Sequence, residues 1–336
     1  MERIILAHGS GGRLHHQLIQ EVFLGGLENR TLGELLDAAI IDPPAGQRMA
    51  FSTDSFVIDP PFFPGGDIGC LSVYGTTNDL AVSGARPRFL SAGFIIEEGF
   101  LIDDLKRVVA SMREAAERVG VEVVTGDTKV VGRGQVDKIF INTAGIGFIP
   151  SGVELSPLRI KAGDQVIVSG TLGDHGLAIL GQREGLSFST PVVSDCGPVA
   201  GLARALLGED PAQVRCMRDP TRGGLATTLN ELAQQGRVAI RVDEERIPVL
   251  PAVRGACAML GLDPMYLANE GKLVAVVAAE RAEEMLRRLR SVKGGERAGL
   301  IGEVTDGSPG LVLRRTALGV ERVMGMLEGE ILPRIC

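Results

Sequence analysis

Residues 103–147 constrain the fold more than any other stretch. Leu105, Val108, Val109, Met112, Ala116 and Val119 recur at helical spacing, which predicts one apolar helix face with Asp103 as the cap and Gly120 as the stop. Val121-Glu122-Val123-Val124 then reads as a strand that runs directly into a loop, Thr125-Gly126-Asp127-Thr128-Lys129, which brings an acid, a hydroxyl and a cation together, and 139–147 reads as a second strand. A helix feeding strands in this order predicts an α/β first half.

The second half reads the same way. Lys161-Ala162-Gly163-Asp164 turns into a strand over 165–168, and Ser169-Gly170-Thr171-Leu172-Gly173-Asp174-His175-Gly176 forms a glycine loop before a helix. Met217 to Gly224 precedes a helix through Leu225, Leu229 and Leu232; Ala268-Asn269-Glu270-Gly271-Lys272 introduces a strand over 273–277; 282–289 reads as a helix. Val320, Val323, Met324 and Leu327 suggest a last amphipathic turn or two. With a seam near 150–157, the 336 residues divide into domains over 1–150 and 151–328 and a mobile tail over 329–336.

A formal net charge of -7 and the lack of a long basic run exclude nucleic acid as the main partner. With no leader pattern and no apolar run of about 18 residues, the reading is a cytoplasmic chain without a membrane partner. Cys70, Cys196, Cys216, Cys257 and Cys336 make no metal-ligand spacing with the four histidines, so the first four read as buried small side chains in a reducing compartment.

The 45 glycines are roughly twice the usual share and gather in short runs, a pattern that suggests backbone-lined ligand loops. His8-Gly9-Ser10-Gly11-Gly12 leads from an extended segment into helical spacing at Leu14, Leu18, Ile19 and Val22, and it reads equally as an anion loop or a tight turn. His8 is a local hydrogen-bond partner or a catalytic group. No P-loop pattern and no strand-borne G-x-G-x-x-G occurs. Asp54, Asp79 and Asp127 each sit instead in a polar island within or at the end of an apolar segment, where unbound polar groups are costly. Three such acids converging on a triphosphate would suffice for magnesium, which takes most of its shell from phosphates and water. As loop caps and turn residues they would need no ligand.

The chain ends Leu332-Pro333-Arg334-Ile335-Cys336. A terminal thiol has one covalent neighbour, and Pro333 discourages helix or central strand beside it, so the last eight residues read as an arm reaching about 25 Å at roughly 3.3 Å per residue. A terminal cysteine packed as a small hydrophobe is the alternative.

The His8–Gly12 run, Phe51-Ser52-Thr53-Asp54-Ser55, Asn78-Asp79-Leu80-Ala81-Val82-Ser83-Gly84-Ala85, Gly126-Asp127-Thr128-Lys129-Val130, Arg218-Asp219-Pro220-Thr221-Arg222-Gly223-Gly224, Asn269-Glu270-Gly271-Lys272 and Pro333-Arg334-Ile335-Cys336 carry a resemblance. Over essentially its whole length the chain resembles the HypE family, maturation proteins of nickel-iron hydrogenases, within the PurM-like superfamily of aminoimidazole ribonucleotide synthetase and selenophosphate synthetase. The resemblance implies a two-domain α/β fold of α+β type, with an N-terminal mixed sheet whose domain dimerises, and ATP and Mg2+ bound near that interface. It implies that a carbamoyl group placed on Cys336 by HypF is dehydrated with ATP to a thiocyanate, and that the cyanide passes to iron on HypC-HypD. The implied roles are Asp54, Asp79 and Asp127 on magnesium, and Gly11, Gly12, Asn78, Thr128 and Asn142 with these acids around the nucleotide. Lys129 would neutralise the phosphoryl group and Glu270 would accept a proton. The competing readings are a small-molecule synthetase or kinase of the same superfamily and a non-catalytic thiol carrier.

Overall fold

Gly120 ends the helix Ile102–Val119 in the left-handed conformation, φ 82°, at the position its sequence predicts. The buried face is Ile102, Leu105, Val108, Val109, Met112, Ala115 and Ala116, and each large side chain among them contributes about 1.5–3 kcal/mol of burial. The start differs from the expectation. Leu101 occupies the N-cap, and Asp103 lies with Asp104 in the first turn, where both carboxylates meet the positive end of the helix dipole.

The computed structural model describes residues 2–10, 12–33, 38–39, 41–186, 190–329, 332 and 334–336. They form two units, one of Met1–Leu80, Ala85–Ile149 and Arg334–Cys336, the other of Ala81–Gly84 and Pro150–Pro333. No described helix is long and apolar enough to cross a membrane.

Unit 1 contains β1 (Arg48–Phe56), a short hairpin of β2 (Phe62–Phe63) and β3 (Gly66–Asp67), then β4 (Arg86–Glu97), β5 (Glu122–Val131) and β6 (Ile139–Ile149). The mixed sheet has the order β1-β6-β4-β5. Only β4 and β5 pair in parallel, and the helix Ile102–Val119 connects them. Two sequence expectations change here. The Gly-Asp-Thr-Lys motif lies inside β5 and not in a loop after it, because Gly126 pairs with Ala92 so closely that a Cβ would stand 2.7 Å from the Ala92 carbonyl oxygen. The polar run Ser52 to Ser55 is itself half-buried or exposed on an edge strand, so water relieves the cost expected of a buried strand.

Unit 2 holds β7 (Gln165–Val168), β8 (Val214–Arg218), β9 (Ala239–Asp243), β10 (Val274–Val277), β11 (Gly299–Thr305), β12 (Val312–Arg315) and β13 (Glu321–Val323), in the order β13-β12-β9-β11-β7-β10-β8. β10 is buried along its whole length, and its Val274 and Val276 join Val166, Val168, Leu225, Leu229, Ile240 and Ile301 in one core. The helices Asp174–Arg183 and Gly224–Gly236 both start from left-handed glycines, Gly173 at φ 83° and Gly223 at φ 76°. The helical turn expected near Val320 is instead the hairpin strand β13, exposed throughout and closed by Thr316 donating its amide to Val320 at 2.9 Å. Arg215 and Asp164 form a buried pair at 3.1 Å that ties the start of β7 to β8.

Candidate active site

Two glycines let the helix Ile68–Val82 lie directly on the unit 1 sheet. A Cβ at Gly75 would stand 2.7 Å from the Phe56 ring, and one at Gly145 would stand 2.8 Å from the Thr76 methyl. The close approach brings Ser52 to Asp79, with Oγ donating to the carboxylate at 2.7 Å. It also sets Asp54 Oδ2 only 3.4 Å from where a Gly75 Cβ would be. Buried hydroxyls lock the contact, since Thr76 and Thr143 are 2.6 Å apart and Thr143 donates to the Ser72 carbonyl at 2.9 Å. Asn78 is buried in the same helix. From β6, the Asn142 amide donates to the Asp54 carbonyl and to Ser55 Oγ, both at 2.9 Å. Asp54, Asp79 and Asn142 therefore gather around β1.

Asp127 is elsewhere in the unit. The sheet order places β6 and β4 between it and Asp54, a separation of about 14 Å at about 4.8 Å per strand. Its exposed carboxylate accepts from Lys129 Nζ at 2.8 Å and from the Thr128 amide at 2.9 Å. The lysine bond is the main cause holding the Asp127 carboxyl below the usual carboxylate range. Thr128 itself is buried. Among the described residues no group of three or more His, Cys, Asp and Glu could hold a metal ion, so the three aspartates form no single cage. Gly12 is the exposed N-cap of the short helix Arg13–Leu18, and Gly11 lies outside the described residues. His8 is buried, and its Nδ1 accepts from the Ile5 amide at 3.0 Å, a local bond.

The end of the chain is seated on unit 1. The Val57 amide donates to the Cys336 carbonyl oxygen at 3.1 Å and the Asp59 amide to that of Arg334 at 3.4 Å, while Ile335 is buried. Arg334 adopts φ 51°, uncommon for a residue with a side chain. Its guanidinium donates to the Val57 carbonyl at 3.0 Å, pairs with Asp137, and lies 5.8 Å from the Phe140 ring centre. Cys336 is thus held where β1 ends, beside a residue three positions after Asp54.

Unit 2, by itself, holds a group of buried polar side chains. Glu270 is only 3% exposed. The Asn269 side chain accepts from the Gly173 amide at 2.8 Å and donates to the Pro220 and Leu267 carbonyls, each at 3.0 Å. The Asp195 carboxylate accepts from the amides of Glu270 and Gly271, at 3.1 and 3.3 Å, and from Lys272 Nζ at 3.0 Å. His175 Nδ1 lies 2.8 Å from Ser194 Oγ. Thr171 donates to one oxygen of the buried Asp174; the other, Oδ1, is buried without a hydrogen-bond partner among the described residues. Burial is the main cause pushing the Asp174 carboxyl above its usual range.

Asp174 and Asp195 were not singled out in the sequence. Asp195 had a signal: Ser194-Asp195-Cys196-Gly197 is a polar island flanked by Val192, Val193 and Val199, the criterion that marked Asp54. Cys216 and Cys257 are buried as expected, whereas Cys70 and Cys196 are only half-buried.

Residues 36–149 match the family model of the AIR synthase related protein N-terminal domain, and 161–313 match that of the C-terminal domain. The chain is 51% identical over 334 residues to the carbamoyl dehydratase HypE of Cupriavidus necator, covering 99% of this chain and 95% of that one. A crystal structure of the hydrogenase maturation protein HypE in complex with ATP superposes with a TM-score of 0.95 at 50% identity over 99% of both chains. A HypE-HypF complex superposes with a TM-score of 0.81 at 46% identity, over 92% of this chain and 99% of that one. On this whole-length match the chain belongs to the AIR synthase related proteins and, within them, to the carbamoyl dehydratase family HypE.

Proposed function

We propose that the chain dehydrates a carbamoyl group carried on its own Cys336 to a thiocyanate, with ATP as the phosphoryl donor. The seat of Cys336 carries this reading: the terminal residue is bonded to Val57, just past the strand that holds Asp54. The relative solved with ATP supports the nucleotide, and the relative solved with HypF supports HypF as the source of the carbamoyl group.

The thiocarbamate oxygen is a poor leaving group until it takes the γ-phosphoryl group. Once it has, two protons leave nitrogen, their electron pairs build the C≡N bond, and the C–O bond breaks with release of phosphate. The sum is thiocarbamate and ATP giving thiocyanate, ADP and phosphate. Lys129 neutralises charge on the phosphoryl group, and Glu270, a buried carboxylate, accepts a proton from nitrogen.

Asp54 and Asp79, half-buried carboxylates on facing elements, fit a magnesium ion held mostly by phosphate oxygens. Magnesium, when bound, would offset the phosphate charge. Asp127, across the sheet, serves the phosphates separately, with Asn78, Thr128, Asn142, Gly11 and Gly12 forming the rest of the nucleotide site.

In this reading Arg334 to Cys336 leave their seat for loading by HypF and for cyanide delivery to HypC-HypD, in the cytoplasm. We also propose a homodimer through unit 1, because edge strand β1 exposes Met49 at 58% and Phe51 at 66%, apolar surface that an unpaired edge seldom leaves to water.

The deciding experiment is mass spectrometry of the C-terminal peptide after treatment with HypF, carbamoyl phosphate and ATP. A carbamoyl adduct on Cys336 that loses one water only when this chain has ATP is the expected result. An adduct that never changes makes the chain a carrier.

A further inference from the structure

The segment Asn269 to Leu273 is fastened at each residue, and Asp195 supplies most of the fastening. Its side chain is 3% exposed and that of Lys272 10%. One carboxylate therefore takes three donors, the amides of Glu270 and Gly271 and the Lys272 ammonium, in a place where water competes little. The flanks are held independently. Asn269 joins the Gly173 and Pro220 loops, and Leu273 exchanges two 2.9 Å bonds with Ser169, through its amide to Oγ and through its carbonyl to the Ser169 amide. At Gly271 a Cβ would stand 1.9 Å from the Asp195 carbonyl oxygen, so the two backbones are pressed together.

We infer that Asp195 is a positioning residue for the dehydration, fixing the backbone that carries the Glu270 carboxylate. The inference rests on the reading of Glu270 as proton acceptor. A proton transfer requires its acceptor within hydrogen-bond reach of the donor, and a displacement of about 1 Å can cost on the order of 100-fold. Asp195 accepts from the amides of Glu270 and Gly271. Its action passes through Glu270.

The test is a double-mutant cycle on the full-length chain carrying a carbamoyl group on Cys336, read as the single-turnover rate of water loss from the C-terminal peptide. In Asp195→Asn the side-chain amide turns a donor toward donors that the carboxylate had satisfied, and the rate should fall on the order of 100-fold, with ATP affinity unchanged. Glu270→Gln should fall at least as far. In the Glu270→Gln background, adding Asp195→Asn should cost less than about 3-fold, because residues acting as one unit are not additive. A merely structural role for Asp195 would multiply the two losses, and that result overturns the inference. A full rate for Asp195→Asn with a slow Glu270→Gln also overturns it, leaving the proton-acceptor reading intact. A full rate for Glu270→Gln sinks that reading, and the inference with it. Should Asp195→Asn fail to fold, the Asp195→Asn/Lys272→Met pair strands no buried ammonium and enters the same cycle.

Discussion

Lys129 and Asp127, two positions apart on β5, are joined at 2.8 Å across the exposed face of the sheet. The lysine is thereby aimed by its own strand, and it holds the carboxylate ionised. Replacing Lys129 with Met should let the Asp127 carboxyl rise toward its ordinary range, observable by carboxyl chemical shifts in a pH titration. The same variant should lower ATP-dependent thiocyanate formation by about 100- to 1,000-fold, the usual cost of one preorganised electrostatic group. An unchanged rate would remove Lys129 from the chemistry.

Gly75 is where the helix Ile68–Val82 meets Phe56 and Asp54. Gly75→Ala pushes a methyl into the ring and toward the carboxylate. We expect about 1–3 kcal/mol of destabilisation in denaturant unfolding, together with weaker ATP binding in calorimetry. Gly255, which has open space around it and no left-handed φ, is the control. Equal nucleotide affinity in the Gly75 and Gly255 variants would disprove the link between helix packing and the site.

Burial raises the Asp174 carboxyl, so the folded chain holds that proton more tightly than the unfolded chain does. Stability from this group therefore declines as pH rises from the ordinary carboxylate range through the raised folded value, and the group costs stability at neutral pH. Asp174→Asn should raise the melting temperature at neutral pH and leave it little changed in acid. A lower melting temperature at neutral pH would show that the ionised form is stabilised by its surroundings.

The cysteines should separate by reactivity. Burial pushes the thiol of Cys216 up to about 12 and that of Cys257 up to about 11, which leaves almost no thiolate at neutral pH. Iodoacetamide applied to the native chain should label half-buried Cys336 and spare Cys216 and Cys257 until denaturant is added. Peptide mapping reads the result, and early labelling of Cys216 would contradict its burial.

How much of this was legible in the sequence depended on distance along the chain. The helix Ile102–Val119 announces itself through a long apolar period and a glycine stop, both local signals. The Gly-Asp-Thr-Lys motif reads locally as a turn, and only its pairing with β4, more than thirty residues earlier, makes it strand. The spacing at Val320 and Val323 is too short to separate a helical turn from a strand, and the hairpin with β12 decided it. At the site, Glu270 stands out because its neighbours form a glycine-bearing motif before an apolar strand. Asp195 lies 75 positions from Glu270, and no periodicity links an acceptor to amides so far away. The same holds for Ser52 and Asp79, which meet only because Gly75 and Gly145 let a helix settle onto the sheet.

Arg334 to Cys336 dock onto the unit that holds Asp54, Asp79 and Asp127 and stay covalently tied to it when they leave that seat, so the reacting group is tethered to its own enzyme. Tethering of this kind supplies the group at an effective concentration on the order of millimolar, whatever the dilution of the protein. Turnover per loaded chain should then be indifferent to how scarce the protein is in the cell, and the poisonous nitrile carbon stays covalently leashed from its formation until a recipient takes it.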